Sequence, residues 1–377
     1  MKITYITYQG IPSYNTYAYG ICTFSTIKHF VKNNFKVKLV FPLREKEATT
    51  NISKIQEFYE MYEDFEIAPT KHYLPFGRIK IFEKYVYIFS HILWALYVSI
   101  KYSNDKDGYI FTLSDWVFYF LSRKNINVIY ECHDLTNIRK KLVSKAIKSD
   151  NSKIICINRY IMHDLKLKEG SKATILENGF DEEIFNVSPK KDDNIKIVFS
   201  GNLQRFGKSR GVKEILEYFL DSEFNNKCEF HIFGGPVQAA NDLRTKFQQE
   251  NIFVHGHIKR TELSEILGTA HIGVLTNVDS VHAQRHTSPV KYYEYLGSGM
   301  SVIATESLAH KELPIQNAIN YFDLNDKNSF LSALENTIED LDNLKKIDTS
   351  KLTLKYRMNN VIKFISARPE GLEPSTP

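Results

Sequence analysis

The run Thr287-Ser288-Pro289-Val290-Lys291-Tyr292-Tyr293-Glu294, closed by Gly299 and followed by the apolar SVIA, carries the parts of an anion-binding helix. Ser288 and Pro289 suit an N-cap and a first helical turn. Glu294 then falls about one and a half turns in, and Gly299 suits the helix end. The free N–H groups at such a start, around 287–290, attract phosphate, and one carboxylate near the same opening can accept hydrogen bonds from ribose hydroxyls. The chemistry suggested is recognition of a nucleoside diphosphate. The plain alternative is a capped helix with an exposed glutamate.

A second loop points the same way. Gly201-Asn202-Leu203-Gln204-Arg205-Phe206-Gly207-Lys208-Ser209-Arg210-Gly211 follows the apolar IKIVFS and precedes a helical pattern from Val212. It nearly reads as GxxxxGK[ST], but five residues separate Gly201 from Gly207 where four are required, which disfavours a nucleoside triphosphatase. What remains is a glycine-rich turn, a helix start and three cations, Arg205, Lys208 and Arg210, that attract phosphate. A solvated turn with surface cations is the alternative. His133 follows the strand-like VIYEC between Glu131 and Asp134. Two acids so close suggest a glycosidase pair, but that needs a separation of roughly 5–9 Å that sequence spacing does not supply. His271, His282 and His286 lack a carboxylate or cysteine to complete a ligand set, and the last two fall in a stretch expected to be non-helical, so no metal is expected.

The elements that must position these residues alternate. Strand-like runs at Lys2–Thr7, Lys36–Phe41, Gly108–Thr112, Asn127–Tyr130, Lys153–Ile157 and Ala173–Leu176 are separated by helical patterns at Ile21–Lys32, Ser114–Arg123, Asn137–Lys148 and Asn158–Lys168. The polar, proline-containing stretch Asn186–Asn194 reads as a linker, after which alternation resumes through Ala304. The fold class expected is α/β, two Rossmann-like doubly wound domains facing across a cleft. Their expected bounds are 1–187, on the acceptor side, and 188–350, with a helix over 351–366 packing back towards the first domain and a disordered tail over 367–377. The loop Gln9–Gly20 cannot be written GxGxxG, and no acid follows Phe41-Pro42, so a nicotinamide oxidoreductase is disfavoured.

The chain has 377 residues, 43% hydrophobic and 25% charged, with a net charge of +5. That size suits two domains, and that charge is too small to argue for nucleic acid. Four scattered cysteines suit reduced core residues. The start MKITYIT lacks the pattern of a signal peptide, so a cytoplasmic protein is expected. Two features suggest a peripheral position at the inner face of a membrane. Tyr85–Ile100 is almost wholly apolar, too short at ~20 residues' requirement to span a bilayer, and reads as a buried or interfacial helix. Residues 123–172 hold twelve Lys/Arg against five Asp/Glu, with Arg139, Lys140, Lys141, Lys145 and Lys148 on one expected helix. That helix reads either as a solvated face or as a surface for anionic lipid.

Taken together, 287–305 resembles the donor-binding signature of retaining glycosyltransferases of family 4, which have the GT-B fold. VIYECHD (128–134), ILENGFDEEIF (175–185), the glycine-led strand and loop of 197–212, FHIFGG (230–235) and 251–275 resemble further segments of that family in the expected order. Two departures are visible. His286 stands where the family often has the first of two glutamates, and Arg210-Gly211 replaces a Lys-Gly pair whose preceding arginine slot holds Asn202. The resemblance implies a nucleotide-sugar donor, retention of configuration and a saccharide or lipid-linked acceptor, with no cofactor, metal or nucleic acid. It implies His133 beside the donor sugar and Arg205, Lys208 and Arg210 on the diphosphate. It places Gly201, Asn202, His286, Thr287, Ser288, Pro289, Val290, Lys291 and Glu294 around the donor. A nucleotide-sugar epimerase of the same fold and a non-catalytic sugar-nucleotide-binding protein are the alternatives.

Overall fold

A computed structural model describes residues 1–13, 17–44, 48–72, 83–187, 194–205, 207–341 and 347–367. The chain divides into two compact units, Met1–Leu176 with Met358–Pro377, and Glu177–Arg357. The change of unit after Leu176 comes ahead of the 186–194 stretch read as a linker, most of which lies outside the described residues. The expected disordered tail likewise lies outside them from 368 onwards.

The first unit runs β1 (Lys2–Ile6), α1 (Tyr17–Lys32), β2 (Lys36–Leu43), α2 (Ile52–Tyr59), β3 (Glu66–Lys71), α3 (Glu83–Lys101), β4 (Gly108–Thr112), α4 (Asp115–Leu121), β5 (Val128–Cys132), α5 (Asn137–Ala146), β6 (Ser152–Cys156), α6 (Arg159–Asp164) and β7 (Ala173–Ile175). Its seven strands form one parallel sheet in the order β3-β2-β1-β4-β5-β6-β7. Central strands such as β5 are buried on both faces, which accounts for their unbroken apolar runs. Several helices start at side-chain caps: Ser114 accepts from Val117 N–H, Thr136 from Arg139 N–H and Asn158 from Ile161 N–H. Helices α3 to α6 pack on one face of the sheet, through Trp94, Val98, Phe118, Val143 and Ile161. The other face is covered by α1, α2 and the chain's last helix, through Phe24, Ile27, Tyr59, Met358 and Val361.

The second unit runs β8 (Ile195–Ser200), β9 (Gln204–Arg205), β10 (Lys208–Ser209), α7 (Val212–Leu220), β11 (Cys228–Phe233), α8 (Val237–Lys246), β12 (Ile252–Gly256), α9 (Arg260–Thr269), β13 (Ile272–Leu275), α10 (Val281–Arg285), α11 (Val290–Gly297), β14 (Ser301–Thr305), β15 (Ile319–Phe322) and α12 (Lys327–Glu339). Helix α13 (Leu354–Ser366) follows, and from Met358 onwards it belongs to the first unit. Six strands form a parallel sheet in the order β12-β11-β8-β13-β14-β15, while β9 and β10 make a separate antiparallel pair. Phe219, Leu243 and Phe330 fill one face, and Phe180, Leu267, Tyr293 and Tyr295 the other. In both sheets the strand order reverses beside the first strand of the unit, the position at which doubly wound sheets bind ligands beyond the carboxyl ends of their strands.

Candidate functional site

Of the residues singled out from sequence, His133 lies in the first unit and the others in the second. His133 follows β5, and its Nε2 is 2.7 Å from Glu131 Oε1, whose residue is 4% exposed. Glu131 therefore orients the imidazole. Asp134 is held by Arg139, which also faces Asp115 at 3.6 Å. Arg139 is thus an internal partner of two acids and is taken out of the cationic face assigned to its helix.

In the second unit the carboxyl ends of β8, β11 and β12 meet at glycines. Gly201 N–H donates to Phe233 O at 2.9 Å, and Gly234 N–H to Gly256 O at 2.6 Å. Gly234 has φ +124°, and a Cβ there would lie 1.8 Å from the Gly201 carbonyl oxygen, so only glycine permits this approach. Beyond Gly201 the loop runs to a helix that begins at Val212, as the sequence suggested. Within that loop lies the β9–β10 hairpin, which carries Arg205 and Lys208, with Arg210 just after it.

Each cation reaches the segment that follows β13. Arg205 donates to Asn277 Oδ1 at 2.9 Å and lies 3.3 Å from His282 Nε2. Lys208 Nζ donates to the Asp279 carbonyl at 3.1 Å. Arg210 donates through Nε to Thr276 O at 3.1 Å, through a second nitrogen to the same oxygen, and through its third to Asn202 O at 3.3 Å. Among the described residues neither Lys208 nor Arg210 has a carboxylate partner. Burial, with Arg205 adding repulsion, pushes the Arg210 guanidinium down to about 10, so it stays charged at neutral pH. A cation held only by carbonyls retains attraction for an anion.

Asn277 connects this hairpin to α10: its Oδ1 takes the Arg205 hydrogen bond and its Nδ2 donates to Ala283 O at 2.7 Å. Thr287 Oγ1 donates to the same carbonyl at 3.2 Å, which ties α10 to the approach to α11. Helix α10 corrects the sequence reading of 281–285 as non-helical: Ser280 caps it, accepting from Ala283 N–H. His286 ends that helix, buried at 5% exposure, with its ring 6.0 Å from that of His282. Among the described residues no group of three or more His, Cys, Asp or Glu is placed to hold a metal ion.

Helix α11 begins one residue later than its sequence suggested. Pro289 is the N-cap, and Ser288 is not a cap. Ser288 Oγ instead accepts from Asn178 N–H at 3.2 Å, and its carbonyl accepts from Asn178 Nδ2 at 2.7 Å. Proline cannot cap with its side chain, which leaves the first N–H groups of α11 without that partner. At the far end, Gly299 N–H donates to Leu296 O and Met300 N–H to Tyr295 O, with Gly299 at φ +72°, the double closure that glycine allows.

Glu294 is not the exposed glutamate of the plain reading. It is 2% exposed, and Oε2 accepts from Lys291 Nζ at 2.6 Å while Oε1 faces Arg260 at 3.8 Å. Arg260 also faces Asp181 at 3.6 Å and lies over the Phe185 ring at 5.1 Å. Two acids and two bases therefore balance in one buried group. Sequence reasoning missed Arg260, Asn277 and the pairing of Lys291. Asn178 and Asp181 stood in the NGFD run, but nothing in their spacing shows which helix they support.

Residues 194–340 match the family model for glycosyl transferases group 1. The fold is shared with solved structures at low identity. A glycosyltransferase from Rickettsia africae is 12% identical, covering 97% of this chain and 98% of its own, with a TM-score of 0.66. A trehalose-6-phosphate structure from E. coli, bound with UDP-2-fluoro glucose, is 12% identical over 98% and 100% of the two chains, with a TM-score of 0.65. A putative UDP-N-acetylglucosamine 2-epimerase from Listeria monocytogenes is 12% identical over 99% of each chain, with a TM-score of 0.62. No curated protein matches the chain in sequence.

Proposed function

We propose, taking the match of residues 194–340 to glycosyl transferases group 1 as the premise, that this protein is a nucleotide-sugar-dependent glycosyltransferase. It transfers a hexosyl-type sugar, with retention of configuration, to a saccharide or lipid-linked glycan acceptor in surface polysaccharide synthesis. The observation that carries this reading is the loop of the β9–β10 hairpin, where Lys208 and the following Arg210 are held by backbone carbonyls with no carboxylate among the described residues. The barrier to transfer lies largely in negative charge growing on the departing diphosphate. Fixed cations and helix N–H groups lower that barrier because they need no reorganisation as the charge appears.

In this reading Lys208, exposed and tethered by one carbonyl, contacts the diphosphate directly with Arg205. Arg210 adds its charge while holding the Thr276 carbonyl. The N–H groups of Thr287, Ser288, Val290 and Lys291 complete the anion site, with Pro289 fixing the turn and Gly201 and Asn202 lying where the donor approaches closely. Glu294 takes the ribose, exchanging its Lys291 hydrogen bond for the hydroxyls. His133 lies by the sugar, its ring fixed by Glu131, and His286 takes the place of a family glutamate near that sugar. The resemblance to the family supports these roles, and no cofactor or metal is invoked.

A thermal-shift screen of nucleoside diphosphates and nucleotide sugars tests the reading, since a ligand that binds only the folded state raises the melting temperature. Stabilisation by one nucleoside diphosphate and its sugar, then sugar transfer to an added acceptor, is expected. A free epimerised monosaccharide released without acceptor would instead support the epimerase. Donor binding without turnover on any acceptor would support the non-catalytic protein.

A further inference from the structure

We propose that the outer face of α3, together with the exposed lysines of α5, is a docking surface for an anionic lipid bilayer. The helix is amphipathic in the unusual sense. Its polar residues Ser90, His91 and Ser99 are buried, His91 Nε2 lying 2.7 Å from Ser114 Oγ, and Trp94 Nε1 donates to Thr70 Oγ1 at 2.7 Å. Its large apolar residues face outwards: Tyr85 at 72% exposure, Phe89 at 57%, Leu93 at 43%, Leu96 at 40%, Tyr97 at 51% and Ile100 at 63%. Steps of three and four residues put all six on one stripe about 22 Å long. Soluble monomers seldom expose so continuous an apolar strip. Sequence alone left this helix as buried or interfacial. In the structure one face of it is buried, with Trp94, Ala95 and Val98 in the core, and the other is exposed.

The occupant is chosen by charge. Helix α4 packs between α3 and α5, so the three lie side by side on the same face of the sheet. On α5 the exposed residues are Asn137, Ile138, Lys141, Lys145 and, just past its end, Lys148, the last four at helical spacing. Between the two helices α4 presents half-buried Trp116, Tyr119 and Phe120, with exposed Arg123 and Lys124 after it. Over 85–101, 115–124 and 137–148 the only acid is Asp115, which is buried against Arg139. A second copy of the chain meeting this surface about a two-fold axis would bring further lysines to it and no free acid to pair with them. An anionic leaflet instead takes the apolar stripe at the acyl boundary and the lysines at its headgroups, the two signals that reversible attachment needs. No helix among the described residues is long and apolar enough to cross a membrane, so the contact is lateral.

Co-sedimentation with vesicles tests this. The wild-type chain is expected to pellet with equimolar phosphatidylglycerol and phosphatidylcholine at low salt, and to remain in the supernatant with phosphatidylcholine alone. Added salt should release it. Lys141→Gln with Lys145→Gln, and separately Leu93→Gln with Leu96→Gln, should each lower partitioning about tenfold or more. Thermal melts of both variants check folding, and the lysine pair, both exposed, decides the matter if the leucine pair melts early. Three results would overturn the proposal: protein left in the supernatant, equal binding to neutral vesicles, or no effect of the lysine pair. Concentration-dependent dimerisation abolished by the leucine pair, without vesicle binding, would assign the stripe to a second copy. No nucleotide is present in the assay, so its outcome is independent of the proposed donor chemistry.

Discussion

Replacing Glu294 by Gln separates two roles that share one carboxylate. In the structure the group balances Lys291 and Arg260 at 2.6 and 3.8 Å, alongside Asp181. Glutamine keeps an acceptor oxygen for Lys291 but turns an amide donor towards a guanidinium, and leaves two bases to one acid. Breaking a fully buried pair costs about 3–5 kcal/mol. Lys291, with its side chain 29% exposed, can turn to water, so the loss is nearer that of one charged hydrogen bond, about 2 kcal/mol. For a unit of this size that is a fall in melting temperature of about 4–8 °C. If Glu294 also accepts ribose hydroxyls, the nucleoside diphosphate should bind about tenfold more weakly or worse. Adding Lys291→Met should recover about 1 kcal/mol of stability but none of the affinity, which is the signature of a coupled pair. The assay is circular-dichroism melting with titration calorimetry of the three variants. A destabilised Glu294→Gln that binds nucleotide as the wild type does would refute the ribose role, and an undisturbed melt would refute the ion-group argument.

Lys208→Ala should leave the melt unchanged and lower turnover more than nucleoside monophosphate binding, because the charge it faces grows in the transition state; equal losses in both would contradict this. Arg210→Ala should do the same and also destabilise by about 2 kcal/mol, since its three hydrogen bonds hold Thr276 and Asn202. His310 is buried, lies 2.8 Å from Thr305 O through Nδ1, and is pushed down from 6.5 to about 4 by burial, with Arg210 and Arg205 repelling a proton. Between those values the unfolded chain binds the extra proton, so His310 stability is complete above pH 6.5 and is lost as pH falls towards 4. The loss amounts to about 3 kcal/mol, and His310→Gln should flatten that part of a pH-stability curve; an unchanged curve would sink the assignment.

The interior strands could be read from sequence because both of their faces are buried. Gly108–Thr112 and Ile195–Ser200 each hold three successive apolar residues, YIF and IVF, and the structure places β4 and β8 on those residues. Two strands not anticipated, β3 and β15, each lie at one edge of their sheet. Proline at 69 disguises β3, and an edge strand tolerates it because one side of the strand is unpaired. The two-residue strands of the β9–β10 hairpin are too short to show a period. In the candidate site, the extent of α11 and its glycine end were legible because capping is local. The burial of Glu294 was not, because Arg260, itself paired with Asp181, reaches it from a distant part of the chain. Ser288 looked like a cap for the same reason: its real partner, Asn178, lies far away in sequence.

The return of the chain to its first unit imposes an order on synthesis. Met358, Val361 and Ile365 of α13 sit in the same apolar core as Phe24, Ile27 and Phe111, and Lys153 Nζ donates to the carbonyls of Phe364 and Ile365 at 2.7 and 3.2 Å. As the ribosome delivers the chain, one face of the first sheet therefore waits, incompletely covered, while the whole of 177–357 is made. The second unit contains all of its own core and can fold during that interval. A chain stopped before Leu354 would thus strand the amino-terminal unit with an open apolar face, although every residue numbered below 177 is present.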